Sequence, residues 1–247
     1  MHDNRMTTEI LTIDKGQCLT DVLPAIPANT IFDKTITGCG ATHSEIVNAA
    51  RHSIIIEPNI PVILGKKAEH PFLFAVYEGI TKEDVKAYLA GEHDGYRKII
   101  TTPEGFDKKV LPAMHELEIP VYKDYFLLFD ECEKAIQDVG YRGDIYLPVE
   151  DFFKFENKAM VSATPIVPSD PRFEENGFKI LKLVPTYDSR IELTLCTTNN
   201  TVAVMRKLLK RLENETVCVF LNSTETILSL IYALRLQGRS RVFCSEK

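Results

Sequence analysis

The chain has 247 residues, 45% of them hydrophobic and 26% charged, a balance that suits one large folded domain or one domain plus part of another. Its net charge of −6 offers no global basic surface, so any nucleic-acid contact must come from a local patch. The cysteines (Cys18, Cys39, Cys132, Cys196, Cys218 and Cys244) are scattered without a C-x-x-C pair and read as reduced thiols of a cytoplasmic protein. Met1 to Glu9 is polar and lacks a signal-peptide core, and no apolar run reaches the roughly 18 residues a membrane helix needs.

Residues 1–29 read as an N-terminal lead-in, with a short amphipathic piece from Cys18 to Ile26 interrupted by Pro24 and Pro27. Thr30 to Ile36 is β-branched and alternating, which predicts a strand. A glycine loop follows, Thr37-Gly38-Cys39-Gly40-Ala41-Thr42, and then a helix over Thr42 to Ala50 with an acid in its first turn. Strand, glycine loop and helix form the context a phosphate-cradling loop requires. Further strands are predicted at Ser53–Pro58, Phe72–Tyr77 and Arg97–Thr102, and helices from Thr81 to Gly91 and from Pro103 to about Glu118.

Phe126-Leu127-Leu128-Phe129-Asp130-Glu131-Cys132-Glu133 is an apolar run that stops abruptly in acids. It reads as a buried strand delivering carboxylates to the C-terminal edge of a sheet, where open α/β folds place their sites. A short aromatic helix at Val149–Phe155 leads to the strand-like Lys158–Val161 and to Ser162-Ala163-Thr164. The stretch from Pro165 to Asp188, rich in proline, serine and aspartate, reads as a domain boundary. After it, Glu192–Thr198, Thr216–Leu221 and Arg241–Cys244 are strand-like, with helices over Asn199–Glu213 and Ser223–Gln237. The alternation predicts an α/β fold, a mainly parallel sheet with helices on both faces over residues 30–187. Residues 188–247 read as the incomplete start of a second α/β domain.

Nucleoside-triphosphate chemistry needs backbone amides around the phosphates, a hydroxyl and an acid for magnesium, and a carboxylate that orients water. Gly38 and Gly40 allow close backbone approach, Thr42 stands where the magnesium hydroxyl belongs, and Asp130 and Glu131 are candidates for the magnesium-side acid and the catalytic base. In this order the segments resemble the first RecA-like domain of superfamily 2 helicases, the DEAD/DEAH-like group of P-loop NTPases. Thr37–Thr42 resembles motif I, Ile56-Glu57-Pro58-Asn59 motif Ia, Thr101-Thr102-Pro103-Glu104 motif Ib, Asp130-Glu131-Cys132-Glu133 motif II, and Ser162-Ala163-Thr164 motif III. Val217–Ser223 is similar to the motif IV strand that opens the second domain.

The resemblance implies ATP and Mg2+ as ligands, held by Thr37, Gly38, Cys39, Gly40, Ala41 and Thr42 with Asp130, and hydrolysis through Glu131. It implies coupling through Glu133, Ser162, Ala163 and Thr164, and single-stranded nucleic acid, DNA favoured over RNA, held near Pro58, Asn59, Thr101 and Thr102. It also implies a longer parent chain carrying a complete second RecA-like domain. One departure stands out: Ala41 occupies the place of the motif I lysine, whose charge faces the β/γ-phosphates. Lys34, earlier on the preceding strand, could take that role only through an unusual bend of the chain. The rival expectations are a non-catalytic nucleotide- or nucleic-acid-binding scaffold, which Ala41 favours, and an unrelated kinase-like P-loop protein, against which the ordered later motifs count.

Overall fold

The computed structural model describes residues 6–132, 149–164, 170–189, 194–211, 215–221 and 223–242. The chain forms two units, Met1–Ser189 and Arg190–Lys247. In the first, every strand among the described residues pairs in parallel in one eight-stranded sheet of order β1-β8-β2-β7-β6-β3-β5-β4. The strands are β1 (Thr8–Ile13), β2 (Thr30–Asp33), β3 (His52–Ile56), β4 (Phe74–Val76), β5 (Lys98–Thr101), β6 (Tyr125–Asp130), β7 (Asn157–Ser162) and β8 (Lys179–Pro185).

Parallel strands require crossovers, and the helices that make them cover both faces of the sheet. The helices α1 (Leu19–Val22), α2 (Ala41–Val47) and α3 (Ile60–Glu69) contribute Leu19, Ile46 and Ile63 to one core, against Phe32, Ile55, Phe126 and Leu128 of the sheet. On the other face, α4 (Lys82–Ala90) and the helical run after β5 bring Val85, Leu89, Val110 and Met114 against Ile54, Ile56, Leu127 and Phe129. The alternation of Phe126 and Leu128 with Leu127 and Phe129 is the two-residue period of a strand buried on both sides. That is why β6 reads in sequence as an unbroken apolar run.

The helical run after β5 comprises α5 (Pro103–Gly105), a π-helical turn (Phe106–Val110) and α6 (Leu111–Glu116). Pro112 lies just past the π turn; it has no amide hydrogen and its ring crowds the preceding turn, and the widened turn accommodates both. Thr81 caps α4 in a reciprocal box with Asp84, its hydroxyl accepting from the Asp84 amide. Among the described residues, the further short helices of this unit are α7 (Val121–Asp124), α8 (Val149–Lys154) and α9 (Arg172–Glu175).

Two sequence expectations are corrected here. Residues 8–13, read as part of a lead-in, form the edge strand β1. It is half exposed, with Ile10 at 70% exposure, and an ion pair from Lys179 to Glu9 ties it to β8. Residues 179–185, read as boundary, form β8 inside the sheet between β1 and β2. Their own alternation of buried Leu181 and Leu183 with exposed Lys179 and Lys182 carries the strand signal, which Pro171 before the strand and Pro185 at its end obscure.

The second unit contains α10 (Thr201–Arg211) and α11 (Thr224–Ala233), the latter capped by the Ser223 hydroxyl accepting from the Thr226 amide. The strand expected over 216–221 does not form, and 194–198 is likewise not a strand, while residues 192, 193 and 243–247 lie outside the described set. A helix closes its own hydrogen bonds, whereas a strand needs a paired neighbour, and among the described residues of this unit there is none.

Candidate functional site

Three strand ends meet at the C-terminal edge of the sheet. β7 lies between β2 and β6, with Asp33 in register with Ser162 and Asp130 in register with Val161. The Lys34 amide donates to the Ser162 carbonyl at 2.9 Å, extending the β2–β7 ladder one residue past the strand. The chain then turns sharply. Thr35 has φ +43°, and the amide of Ile36 reaches back to the Lys34 carbonyl in a γ-turn. Left-handed backbone is costly for a β-branched residue. Here it is held by the Thr35 hydroxyl donating to the Leu183 carbonyl at 2.5 Å and the Thr35 amide donating to Asp33 Oδ1 at 3.1 Å.

Lys34, the last residue before the turn, is only 8% exposed, with Nζ 3.2 Å from Asp130 Oδ1 and 3.1 Å from Glu131 Oε1. Burial by itself lowers a lysine pKa, but the facing carboxylates of Asp130 and Glu131 outweigh it and raise Lys34 above the ordinary lysine value. Asp130 is 2% exposed and its two oxygens are both engaged: Oδ1 by Lys34 and by the Glu131 amide at 2.9 Å, Oδ2 by the Thr42 hydroxyl. Glu131 takes φ +51°, a second left-handed non-glycine residue, and this bend at the end of β6 brings its carboxylate to the same ammonium as Asp130.

The glycine loop lies alongside. Gly38 and Gly40 have φ +74° and +87°, and a Cβ added to either would meet nothing within 4 Å. Their conformation demands glycine, while the space over them is open. Cys39 points inward and is buried, which raises its thiol pKa, and its carbonyl accepts from the Leu19 amide at 2.8 Å. Ala41 is 4% exposed and belongs to the apolar core under α2. Thr37 sits in the turn before Gly38.

Glu57, just past β3, is 2% exposed, and one of its oxygens accepts from both the backbone amide and the side-chain amide of Asn59 at 2.8 Å. Burial, then the charge of Asp130, push its carboxyl up to about 7, and the two Asn59 bonds pull the other way. Asn59 also stands at the start of α3, after Pro58. At the end of β5, Thr101 is fully buried, with its hydroxyl donating to the Thr102 carbonyl, and Thr102 caps α5 by accepting from the Gly105 amide at 3.0 Å. At the end of β7, the buried Ser162 hydroxyl accepts from the Thr164 amide at 2.9 Å across Ala163.

Of the residues singled out in sequence, the structure brings Gly40, Thr42, Asp130, Glu131 and Ser162 to one sheet edge. Glu133 lies outside the described residues. Two further participants join them. Lys34, expected to reach such a site only through an unusual bend, lies beside Asp130 although 96 positions separate the two in sequence, because the sheet sets their strand ends close together. Glu57 carries no role of its own in the sequence, and the cue available was a carboxylate directly after an apolar strand, the same cue that marks Asp130. Among the described residues no group of three His, Cys, Asp or Glu side chains is arranged to hold a metal ion; His43 Nδ1 instead lies 3.1 Å from His70 Nε2.

A parallel α/β sheet carrying a glycine loop and an acid-ended strand at one edge is a RecA-like fold. Among solved structures the chain is similar to the DUF1998 helicase MrfA, with a TM-score of 0.56 at 14% identity over 86% of this chain and 37% of that one. It also matches the Pyrococcus furiosus Hef helicase domain, with a TM-score of 0.40 at 12% identity over 95% of this chain and 51% of that one. The chain thus spans about half or less of the length of either structure. No protein-family model matches, and no curated protein matches in sequence.

Proposed function

We propose that residues 30–164 form the nucleotide-binding core of a superfamily 2 helicase-like protein, which takes ATP with Mg2+ and grips a single nucleic-acid strand. The observation that carries this reading is the hydrogen bond from the Thr42 hydroxyl to Asp130, which draws the glycine loop against the acid-ended strand. The residues present fit the ligand: an open face over Gly38 and Gly40 for phosphate oxygens, a hydroxyl–carboxylate pair for the cation, and an ammonium beside them. Thr42 and Asp130 would hold Mg2+, and the loop Thr37–Thr42 would hold the phosphates. When bound, ATP supplies a phosphoanhydride whose cleavage can drive movement between domains.

This chain's residues would do the rest. Glu131, bent toward the site by its left-handed backbone, holds the proton acceptor for an attacking water. Ser162, whose carbonyl is bonded to the Lys34 amide, links the site to the strand end that carries Ala163 and Thr164. Asn59 and Thr102, at the mouths of β3 and β5, would meet the nucleic-acid backbone, with DNA favoured over RNA; the buried Thr101 supports Thr102 from below. A longer parent with a full second RecA-like domain would complete the motor. Such a motor would work in the cytoplasm; no helix among the described residues is long and apolar enough to cross a membrane.

Equilibrium binding of a fluorescent ATP analogue with Mg2+ tests the reading, followed by phosphate release with and without single-stranded DNA or RNA. Binding that survives Glu131→Gln, with turnover lost, is the expected result. A chain that binds no nucleotide at any Mg2+ concentration would sink the proposal. The rival is a non-catalytic scaffold that keeps the fold, favoured by Ala41 standing where the family has lysine; binding without turnover in a full-length parent would select it.

A further inference from the structure

We infer that Lys34 is the phosphate-facing cation of this site, supplied from the end of β2 instead of from the start of α2. The inference rests on the nucleotide reading above and adds to it which residue carries the charge. Three observations converge. Ala41, where a loop lysine would stand, is 4% exposed and packed in the core, so the start of α2 is built to bury that position. Lys34 Nζ instead occupies the gap between strand ends, 3.2 Å from Asp130 and 3.1 Å from Glu131, the acid partners of Thr42's site. The chain around it is fixed: the Lys34 amide donates to the Ser162 carbonyl, holding this residue on the β2–β7 ladder, and the strained γ-turn that follows, through a β-branched Thr35 at φ +43° secured by the Leu183 carbonyl and by the Asp33 carboxylate, takes the chain off the strand line directly after it. Strain retained at one residue of an otherwise regular strand end marks a position whose geometry matters beyond packing.

A plain counter-ion role for Lys34 makes a different forecast, and the two separate cleanly. Affinities for ATP–Mg2+, ADP–Mg2+ and adenosine are measured on the whole chain and on Lys34→Gln, with unfolding followed by circular dichroism in parallel. A phosphate-facing ammonium contributes one charge-assisted contact, so Lys34→Gln should weaken ATP roughly 10- to 100-fold, ADP less, and adenosine not at all. A counter-ion alone predicts lowered stability with an unchanged ratio of ATP to adenosine affinity, and that ratio staying constant overturns the inference. Should the glutamine variant fail to fold, Lys34→Arg decides. It keeps the ion pair with a wider planar head, so a shifted ATP-to-adenosine ratio supports the assignment and an unshifted one refutes it. Wild-type chain that binds neither ATP nor adenosine defeats the nucleotide reading itself. Wild-type binding with an unchanged ratio in the variants defeats only the role given to Lys34.

Discussion

Replacing Glu57 by glutamine should make the first unit more stable at alkaline pH and leave it nearly unchanged in acid. Glu57 is 2% exposed, and its carboxyl is pushed from 4.5 to about 7 by burial and by Asp130. Below pH 4.5 the folded and unfolded chains both keep this proton, and the favourable contribution of the neutral form is fully present. As pH rises from 4.5 through about 7 the unfolded chain ionises first, so the folded state is progressively disfavoured. Above 7 the whole penalty is felt. At 1.36 kcal/mol per pKa unit, the shift is worth about 3 kcal/mol between the two limits. Glutamine keeps an oxygen to accept from Asn59 and never ionises, so its stability carries no such slope. Urea unfolding of both chains at pH 4.5, 6 and 8 reads the gap directly. A gap that grows with pH toward that size is expected, and it should shrink in an Asp130→Asn background, because the Asp130 charge is the second cause of the shift. A wild-type-to-variant difference that stays flat across the range would refute the assignment of a neutral, buried Glu57.

Two further outcomes follow from the packing. Ala41→Lys, which puts a lysine into the glycine loop, should destabilise the chain by about 1–3 kcal/mol instead of improving nucleotide affinity, since residue 41 is 4% exposed inside the core; thermal melting and ATP titration check it together. Gly105→Ala should cost about 1–3 kcal/mol although its φ of −64° suits alanine, because the added Cβ would lie 2.5 Å from the Thr101 hydroxyl oxygen and 3.1 Å from the Val76 carbonyl; a melting temperature equal to wild type would show that α5 can shift off β5 freely.

Much of the sheet was legible before the fold was seen. β3 and β6 announce themselves as apolar runs because a strand covered on both faces has no polar side to display, and α4 carries its start signal in Thr81 and Asp84. β1 did not, because an edge strand buries little; only Ile13 of its residues is buried. β8 is harder to see, because Pro171 stands before it and Pro185 is its own last residue, and prolines at both ends of a short alternating run read as loop. In the second unit the helices were recognisable from their local patterns and formed, while the strand signal at 216–221 had no neighbour to pair with among the described residues.

The order of strand, glycine loop, acid-ended strand and serine–alanine–threonine turn is a property of the sequence alone, since each is a local pattern of side-chain size and polarity. Which of those ends stand beside one another is not local. It depends on strand order, and only the folded sheet inserts β7 between β2 and β6 and so lines up Asp33, Ser162 and Asp130 at one edge. The same holds for Lys34 and Glu57. Their charge is written in the chain, but the neighbours that set its effect are far away in sequence and are met only across the sheet edge, where burial makes each ion depend on the next.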